Sequence, residues 1–199
     1  MRILISGFEA FGGREINPTA LLIEALENNK IPYSDTLIVD QVLLPVTFES
    51  AFDVLQEKIE TFNPDVVICF GMAKRDSIEI ETVAINHINA TIADNSGVMP
   101  QNQLIIPDGP PTYLSTLPIQ GFEKTLKEAG LPVKLSNDAG AFVCNYLFYR
   151  LMETNQESFR LCGFIHVPLL AEQAGPDEFG LPIHHLYRTI TLILNYLEY

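Results

Sequence analysis

Residues 63–71 read NPDVVICFG, a helix-breaking tripeptide followed by a short apolar run. A run of this length, bounded by turn residues, is typical of a strand that is buried on both faces of a sheet. A similar run, RILISGF, opens the chain, and the apolar stretch TLIVDQVLLPV lies between the two. Helical patterns separate these runs, so the order is strand, helix, strand, helix, strand. That order predicts right-handed crossovers and a parallel sheet.

Polar residues mark where the first two helices are expected to begin. Asn17 can cap a helix that has Pro18 at its first position, and the pattern continues to about Asn29. Thr47 can cap a second helix that runs through FESAFDVLQEKIETF. The NPD tripeptide then ends this helix before the third strand.

The middle of the chain follows a different pattern. SIEIETVAIN alternates, and HINATIADNSG with NQLII adds further extended segments, which predicts a hairpin or meander. The proline-rich segment PDGPPTYLSTLP predicts a loop. A helix over residues 119–129 with Gly130 as its stop follows, and a last helix is expected over residues 182–197.

Two further strands, VKLSN and LCGFIHV, bracket a helix that contains Cys144. With no repeat, low-complexity tract or linker, we expect one α/β domain over residues 1–199. The predicted architecture is a three-layer sandwich with a mostly parallel twisted sheet and an extra hairpin or meander in the middle.

Composition narrows the class of protein. The formal net charge of −13 disfavours nucleic acid and anionic membranes as partners, because both bind basic surfaces. The N-terminus lacks the pattern of a signal peptide, and no apolar run reaches transmembrane length. The three cysteines lack C-x-x-C spacing, so neither a disulfide framework nor a zinc site is expected. These features predict a cytoplasmic enzyme or binding domain.

The three cysteines differ in their expected positions. Cys69 lies inside the buried run VVICFG and Cys162 begins LCGFIHV, so both are expected in the core. Cys144 follows the turn of SNDAG and should lie in the first turn of a helix. There the unpaired N–H groups and the helix dipole favour a thiolate. Since a cysteine among apolar neighbours is often inert packing, position alone leaves both readings of Cys144 open.

A nucleophilic cysteine needs a base and a group that orients the base. His166 ends the strand of FIHVP, so it should reach the same carboxyl edge of the sheet as Cys144. The alternative is a strand-end histidine that bonds only to backbone. In SIEIETVAIN the apolar phase slips after Ile80, which predicts a bulge near Glu81 that aims its side chain. Glu79 follows the regular alternation and is expected to face solvent.

The glycine-rich segment GFEAFGG after the first strand resembles a phosphate-binding loop only superficially. It lacks the G-x-G-x-x-G spacing and the lysine of a P-loop, and Glu9 would repel an anion. Phe8 and Phe11 suit a small, planar, mostly apolar ligand instead. A tight turn with both phenylalanines packed is the alternative.

Taken together, these segments resemble the pyrrolidone-carboxylate peptidase (pyroglutamyl peptidase I) family of cysteine peptidases. The resemblance follows the chain in order through SGFEAFGGREINP, ETVAIN with DNSG, DGPPTYLSTLPI, AGAFVCNYLFY and GFIHVPLLAEQ. It implies an α/β sandwich that removes N-terminal pyroglutamate from peptides through a thioester and uses no metal or other cofactor. It also implies a homo-oligomer, either a dimer or a tetramer. The implied nucleophile is Cys144, the base is His166 and the orienting carboxylate is Glu81.

The resemblance also implies a slot for the lactam ring. Pyroglutamate is flat and uncharged, and the side chains expected around it are Phe8, Phe11 and Phe142, with Gly71 and Met72 at the end of the third strand. Family members commonly have glutamine where this chain has Met72. Thr82 and Thr91 also replace basic residues that are usual in the family. These differences concern substrate preference and efficiency more than the type of reaction.

Two other functions compete with this assignment. One is a weak or inactive homologue that keeps the fold and holds a small lactam-like ligand, which the replaced pocket residues favour. The other is an enzyme similar to nucleoside phosphorylases, because doubly covered sheets support many activities. The absence of a basic or glycine-rich phosphate cradle argues against that second alternative.

Overall fold

The computed structural model describes residues 1–155 and 161–198. Five helices occur in these residues, α1 (Pro18–Glu27), α2 (Ala51–Phe62), α3 (Ile119–Glu128), α4 (Val143–Thr154) and α5 (Ile183–Leu197). The same residues form ten strands, β1 (Arg2–Phe8), β2 (Ile38–Leu44), β3 (Val66–Met72), β4 (Ile78–Glu81), β5 (Val83–Ile85), β6 (Thr112–Leu114), β7 (Val133–Ser136), β8 (Leu161–Val167), β9 (Leu169–Leu170) and β10 (Gly180–Leu181). None of the described helices is long and apolar enough to cross a membrane.

The central sheet has six strands in the order β2-β1-β3-β8-β4-β7. Neighbouring strands run parallel except β4 and β8, which are antiparallel. β1 lies between β2 and β3, and these three strands are parallel, as the alternation of strands and helices in the first third of the chain predicts. The carboxyl ends of β2, β1, β3 and β8 lie at one edge of the sheet, where open α/β folds bind ligands, whereas β4 and β7 run in the opposite direction.

Helices cover both faces of this sheet and create two cores. In β1 the side chains of Ile3 and Ile5 join the core under α1, α3 and α5, whereas Leu4 and Phe8 join the core under α2 and α4. This alternation follows from the two-residue period of a strand. The predicted three-layer α/β sandwich with a mostly parallel sheet is confirmed.

The first helix begins as predicted and the second does not. The Asn17 side chain accepts a hydrogen bond from the N–H of Thr19 at 3.0 Å and caps α1. The expectation that Thr47 caps α2 is wrong, because that helix begins at Ala51. The N–H of Phe48 donates instead to the Asp94 carboxylate at 2.9 Å, which holds the chain in a turn before the helix.

The middle of the chain forms the extra hairpin, with one difference from the prediction. β5 and β6 pair antiparallel, and beyond them Ile88 and Gln103 form an isolated bridge. The proline-rich segment was expected to be entirely loop, and this is wrong for Thr112–Leu114. These three residues follow the prolines, and each of them carries the backbone N–H that proline lacks. They can therefore pair with the open edge of β5.

Candidate active site

Cys144 is the second residue of α4 and is partly exposed. Strand β7 ends at Ser136, and the chain then turns through residues 137–142, where Gly140 has a φ of +78°. Glycine adopts this left-handed conformation with little conformational strain, and the resulting turn leads the chain from the sheet into α4. The first N–H groups of a helix lack partners within the helix, so the thiol lies where a negative charge is stabilised.

The other two cysteines have a different environment. Cys69 and Cys162 are both fully buried in the core between the sheet and helices α2 and α4. Burial raises the pKa of the Cys69 thiol to about 12. A thiol that stays protonated and inaccessible does not act as a nucleophile. The positions expected for the three cysteines agree with the structure.

His166 and Glu81 form a buried pair beside Cys144. They lie on the adjacent strands β8 and β4, and the distance from His166 Nδ1 to Glu81 Oε1 is 2.7 Å. Interaction with the Cys144 side chain also helps to raise the pKa of His166. Because Glu81 engages Nδ1, Nε2 is the ring nitrogen that remains for the thiol. The structure thus brings together the three side chains that were expected to share a site.

The electrostatics of this group favour a charged imidazole. Burial lowers the pKa of His166, but hydrogen bonds and charge interactions with Cys144 and Glu81 outweigh burial and raise the pKa to about 9. A histidine normally titrates near pH 6.5, so at neutral pH this ring carries a proton when the thiol is ionised. A thiolate–imidazolium pair of this kind can attack a carbonyl and then supply a proton.

Gly71 lies close to the thiol of Cys144. It is paired with His166 in the register of β3 and β8. A Cβ atom at this position would come within 2.9 Å of Cys144 Sγ and 2.7 Å of the Phe164 ring. Any larger residue would therefore displace the sulfur or the ring. The close approach of the strand to the Cys144 thiol depends on glycine.

A small recess opens beside the thiol, with an empty volume of about 220 Å³. Its lining residues are Phe8, Phe11, Asn17, Val46, Met72, Phe142, Val143 and Cys144. Four of the five residues predicted to bind a planar ligand therefore line it, and the fifth, Gly71, lies against the sulfur instead. The rings of Phe11 and Phe142 are 6.0 Å apart, and Phe48 meets Phe142 edge to face at 5.4 Å.

Three of these lining residues, Asn17, Val46 and Val143, were not expected in the recess. Val46 follows β2 at the carboxyl edge of the sheet, and this position was the available signal. The Asn17 carboxamide caps α1 and donates one Nδ2–H to the carbonyl of Glu9. An amide nitrogen carries two hydrogens, so one donor remains.

Asn145, which follows Cys144 in the chain, is a further residue that sequence reasoning missed. Its buried side chain accepts a hydrogen bond from the N–H of Ile85 at 3.0 Å and donates to the carbonyls of Ile85 and His87. These contacts attach the start of α4 to β5, two residues beyond Glu81. A polar residue inside the apolar stretch AFVCNYLF was the signal for such a contact.

The prediction that Glu79 faces solvent is wrong, because only 2 % of this residue is exposed. All four residues of β4 are buried, so the side chains on both of its faces are covered. The Glu79 carboxylate instead pairs with Arg75 at 3.2 Å and with Lys134 at 3.1 Å.

Two other residues, Thr82 and Thr91, were expected to depart from the family pattern. Thr82 follows the end of β4, and Thr91 is exposed in a loop.

Comparisons with known proteins agree with this arrangement. Residues 1–193 match the pyroglutamyl peptidase family. The chain is 42% identical to a pyrrolidone-carboxylate peptidase of Pyrococcus furiosus, over 87% of this chain and 83% of that protein. It is 43% identical to a pyrrolidone-carboxylate peptidase of Bacillus cereus, over 96% of this chain and 89% of that protein.

Solved structures give the same result. A mutant pyrrolidone carboxyl peptidase from P. furiosus superposes with a TM-score of 0.93 and 34% identity, covering 100% of this chain and 99% of that one. Pyroglutamyl peptidase I of Bacillus amyloliquefaciens superposes with a TM-score of 0.90 and 32% identity, covering 100% and 97%. The chain belongs to the pyroglutamyl peptidase family and is a cysteine peptidase.

Proposed function

We propose that this protein removes N-terminal pyroglutamate from peptides and that Cys144 forms a thioester with the pyroglutamyl group during the reaction. The observation that carries the proposal is the place of the Cys144 thiol. It lies between an apolar recess on one side and the buried His166–Glu81 pair on the other. A flat acyl group in that recess would have its carbonyl carbon beside a nucleophile and a proton donor.

The reaction follows from this placement. The Cys144 thiolate attacks the pyroglutamyl carbonyl carbon, and a C–S bond forms as the carbonyl π electrons move to oxygen. The C–N bond then breaks, and the departing amine takes the proton from the His166 imidazolium. In the second half, neutral His166 takes a proton from water, whose oxygen attacks the thioester carbon. The C–S bond breaks, pyroglutamate is released, and the thiolate–imidazolium pair is regenerated.

Two groups of the protein stabilise the charges that develop. Glu81 accepts from His166 Nδ1, fixes the ring orientation and favours the imidazolium. The backbone N–H groups in the first turn of α4 provide donors for the oxyanion, because they lack partners within the helix and adjoin the sulfur. These donors are in place before the substrate binds.

The recess suits a lactam better than a charged N-terminus. Its wall consists mainly of Phe8, Phe11, Val46, Met72 and Phe142. A free ammonium would lose its hydration against these side chains, and such a loss costs several kcal/mol when no partner replaces the water. A lactam is neutral and exposes one carbonyl and one N–H. The remaining N–H of Asn17 is a suitable donor for that carbonyl.

The experiment is a comparison of fluorogenic amine release from pyroglutamyl, prolyl and alanyl conjugates. The proposal expects the pyroglutamyl conjugate to be cleaved with the highest kcat/KM and expects Cys144→Ala to abolish cleavage. Equal cleavage of the three conjugates would contradict the lactam assignment. If the protein were instead an inactive lactam-binding homologue, calorimetry would detect binding of 2-pyrrolidone while none of the conjugates released amine.

A further inference from the structure

The segment GMAKRDSIEIE, which connects β3 to the end of β4, contains a group of charged residues outside the proposed catalytic machinery. At its centre is the buried carboxylate of Glu79, which contacts Arg75 Nε at 3.2 Å and Lys134 Nζ at 3.1 Å. Lys134 also pairs with Asp76 at 2.8 Å. A buried carboxylate needs partners of this kind, since burying an unpaired charge is very unfavourable.

Glu79 is a direct neighbour of the proposed base in the sheet. In the antiparallel register of β4 and β8, Glu79 is opposite His166. Side chains at opposed positions of two antiparallel strands project from the same face. Glu79 and its ion pairs therefore belong to β4, and the pairing of β4 with β8 holds Glu81 in contact with His166.

Arg75 has a second contact that Lys134 lacks among the described interactions. Its guanidinium nitrogen Nη2 donates to the backbone carbonyl of Asp138 at 2.7 Å. Asp138 lies in the turn that leads into α4, and its side chain accepts from the N–H of Gly140 at 2.9 Å. This turn positions the helix start that carries Cys144.

We propose that Arg75 is a positioning residue that sets the distance between Cys144 and His166. Its planar guanidinium spans two elements at once, since Nε holds the carboxylate of β4 and Nη2 holds the turn before α4. The inference rests on the roles proposed above for Cys144, His166 and Glu81. Arg75 itself contacts none of these three side chains in the described hydrogen bonds and ion pairs.

Lys134 supplies the matched control. It neutralises the same carboxylate at nearly the same distance, but it lies on β7 and contacts Asp76 rather than the turn before α4. If Arg75 served only to neutralise Glu79, removal of either cation would have the same effect. If Arg75 positions the nucleophile, the two removals differ.

The experiment compares Arg75→Ala, Arg75→Lys and Lys134→Ala with the wild type. The first measurement is the rate at which iodoacetamide alkylates Cys144, which needs no substrate and so does not depend on the pyroglutamyl assignment. The second is kcat and KM on the pyroglutamyl conjugate. We expect Arg75→Ala to lower the alkylation rate and kcat by about 10- to 100-fold, as small misplacements of reacting groups do. KM should stay near the wild-type value because the recess is untouched.

Lys134→Ala should change the alkylation rate and kcat by less than about 3-fold, since the turn before α4 keeps its contact. Equal losses in Arg75→Ala and Lys134→Ala, or an unchanged alkylation rate in Arg75→Ala, would overturn the proposal. If Arg75→Ala fails to fold, Arg75→Lys decides the question. Lysine keeps a charge beside Glu79 but cannot span both contacts, so wild-type rates in this variant would also overturn the proposal.

Discussion

Glu81 and His166 lie on neighbouring strands of the central sheet, whereas Phe11, Val46 and Phe142 come from segments that follow or precede regular elements. The first two residues are buried and joined by a 2.7 Å contact between charged groups. The three recess residues make apolar and ring contacts and include the partly exposed Phe11 and Phe142. Strand register therefore fixes Glu81 against His166, whereas Phe11, Val46 and Phe142 reach the recess from outside the strands.

This difference has a consequence for substitutions. A change on the sheet side alters the geometry or charge of the reacting groups, so it should act mainly on kcat. A change in the recess leaves the Cys144–His166 contact in place, so it should act mainly on which substrate is preferred. Each prediction below tests one side of this comparison.

The largest expected effect is a difference in alkylation rate between the cysteine thiols. Iodoacetamide at about pH 8 should label Cys144 at least 10³-fold faster than Cys69, because only the thiolate reacts. A pKa of about 12 leaves roughly one Cys69 thiol in 10⁴ ionised at that pH, and burial blocks access in addition. Peptide mapping of the labelled protein measures the order of reaction. Labelling of Cys69 or Cys162 before Cys144 would contradict the assignment of the nucleophile.

Removal of the reacting groups should come next in size. Cys144→Ala and His166→Ala should each lower kcat/KM on the pyroglutamyl conjugate by about 10³-fold or more, whereas Glu81→Gln should retain measurable activity. In the proposed mechanism Glu81 orients and stabilises the His166 ring without exchanging a proton with the substrate. Thermal unfolding of each variant controls for loss of structure. Near-normal turnover by folded Cys144→Ala would exclude the covalent mechanism.

The charge on His166 leads to a smaller effect that depends on pH. The pKa of His166 is raised to about 9, so the proton for the leaving amine is present below that pH and lost above it. We expect kcat/KM to fall about tenfold per pH unit above 9. Because the folded pKa is above 6.5, the associated contribution to stability is fully present below pH 6.5 and is lost as the pH rises through 9.

Glu81→Gln provides the control for this pH dependence. Glutamine keeps the size of the side chain but removes the charge that helps to raise the pKa of His166. The alkaline limb of the pH profile should therefore move to lower pH in this variant. A profile of kcat/KM from about pH 7 to pH 10.5 measures the shift. An identical limb in both proteins would show that another group causes it.

The success of sequence reasoning follows the same division between sheet and loops. β1 and β3 are continuous apolar runs, so their place in a parallel sheet could be predicted, and with it the carboxyl edge at which His166 lies. The expectation that the strand before Cys144 also ends at that edge is wrong, because β7 runs antiparallel to β8. Glu79 was misjudged because alternation in β4 shows two faces but does not show that both are covered. Its partner Lys134 is more than fifty residues away in sequence.

Loop-borne features escaped prediction for a related reason. Val46 reaches the recess because of how the segment after β2 packs, and Thr47 fails to cap α2 because Asp94 binds Phe48 from a distant loop. Such contacts depend on tertiary structure and have no local pattern. The aromatic residues of the recess could be anticipated only because Phe8 ends the first strand and Phe11 follows it closely, both beside glycines.

The smallest expected effect concerns Met72, which stands where the sequence resemblance implies a glutamine. Met72 lines the recess and adds no polar atom that needs a partner. If it fills the volume of the glutamine while Asn17 and backbone groups bind the lactam, pyroglutamyl substrates stay preferred over prolyl ones. Met72→Gln would then add one hydrogen bond, which is about a 2- to 10-fold gain in kcat/KM for the pyroglutamyl conjugate alone.

The comparison that tests this expectation uses pyroglutamyl and prolyl conjugates with the wild type, Met72→Gln and Met99→Gln. Met99 is 49% exposed and does not line the recess, so its replacement controls for the general effect of a glutamine. Prolyl conjugates keep the ring but lack the lactam carbonyl and carry a charged nitrogen. Equal kcat/KM values for the two conjugates in the wild type would show that the recess recognises any small ring. A Met72→Gln gain shared by both conjugates would place the side chain away from the lactam.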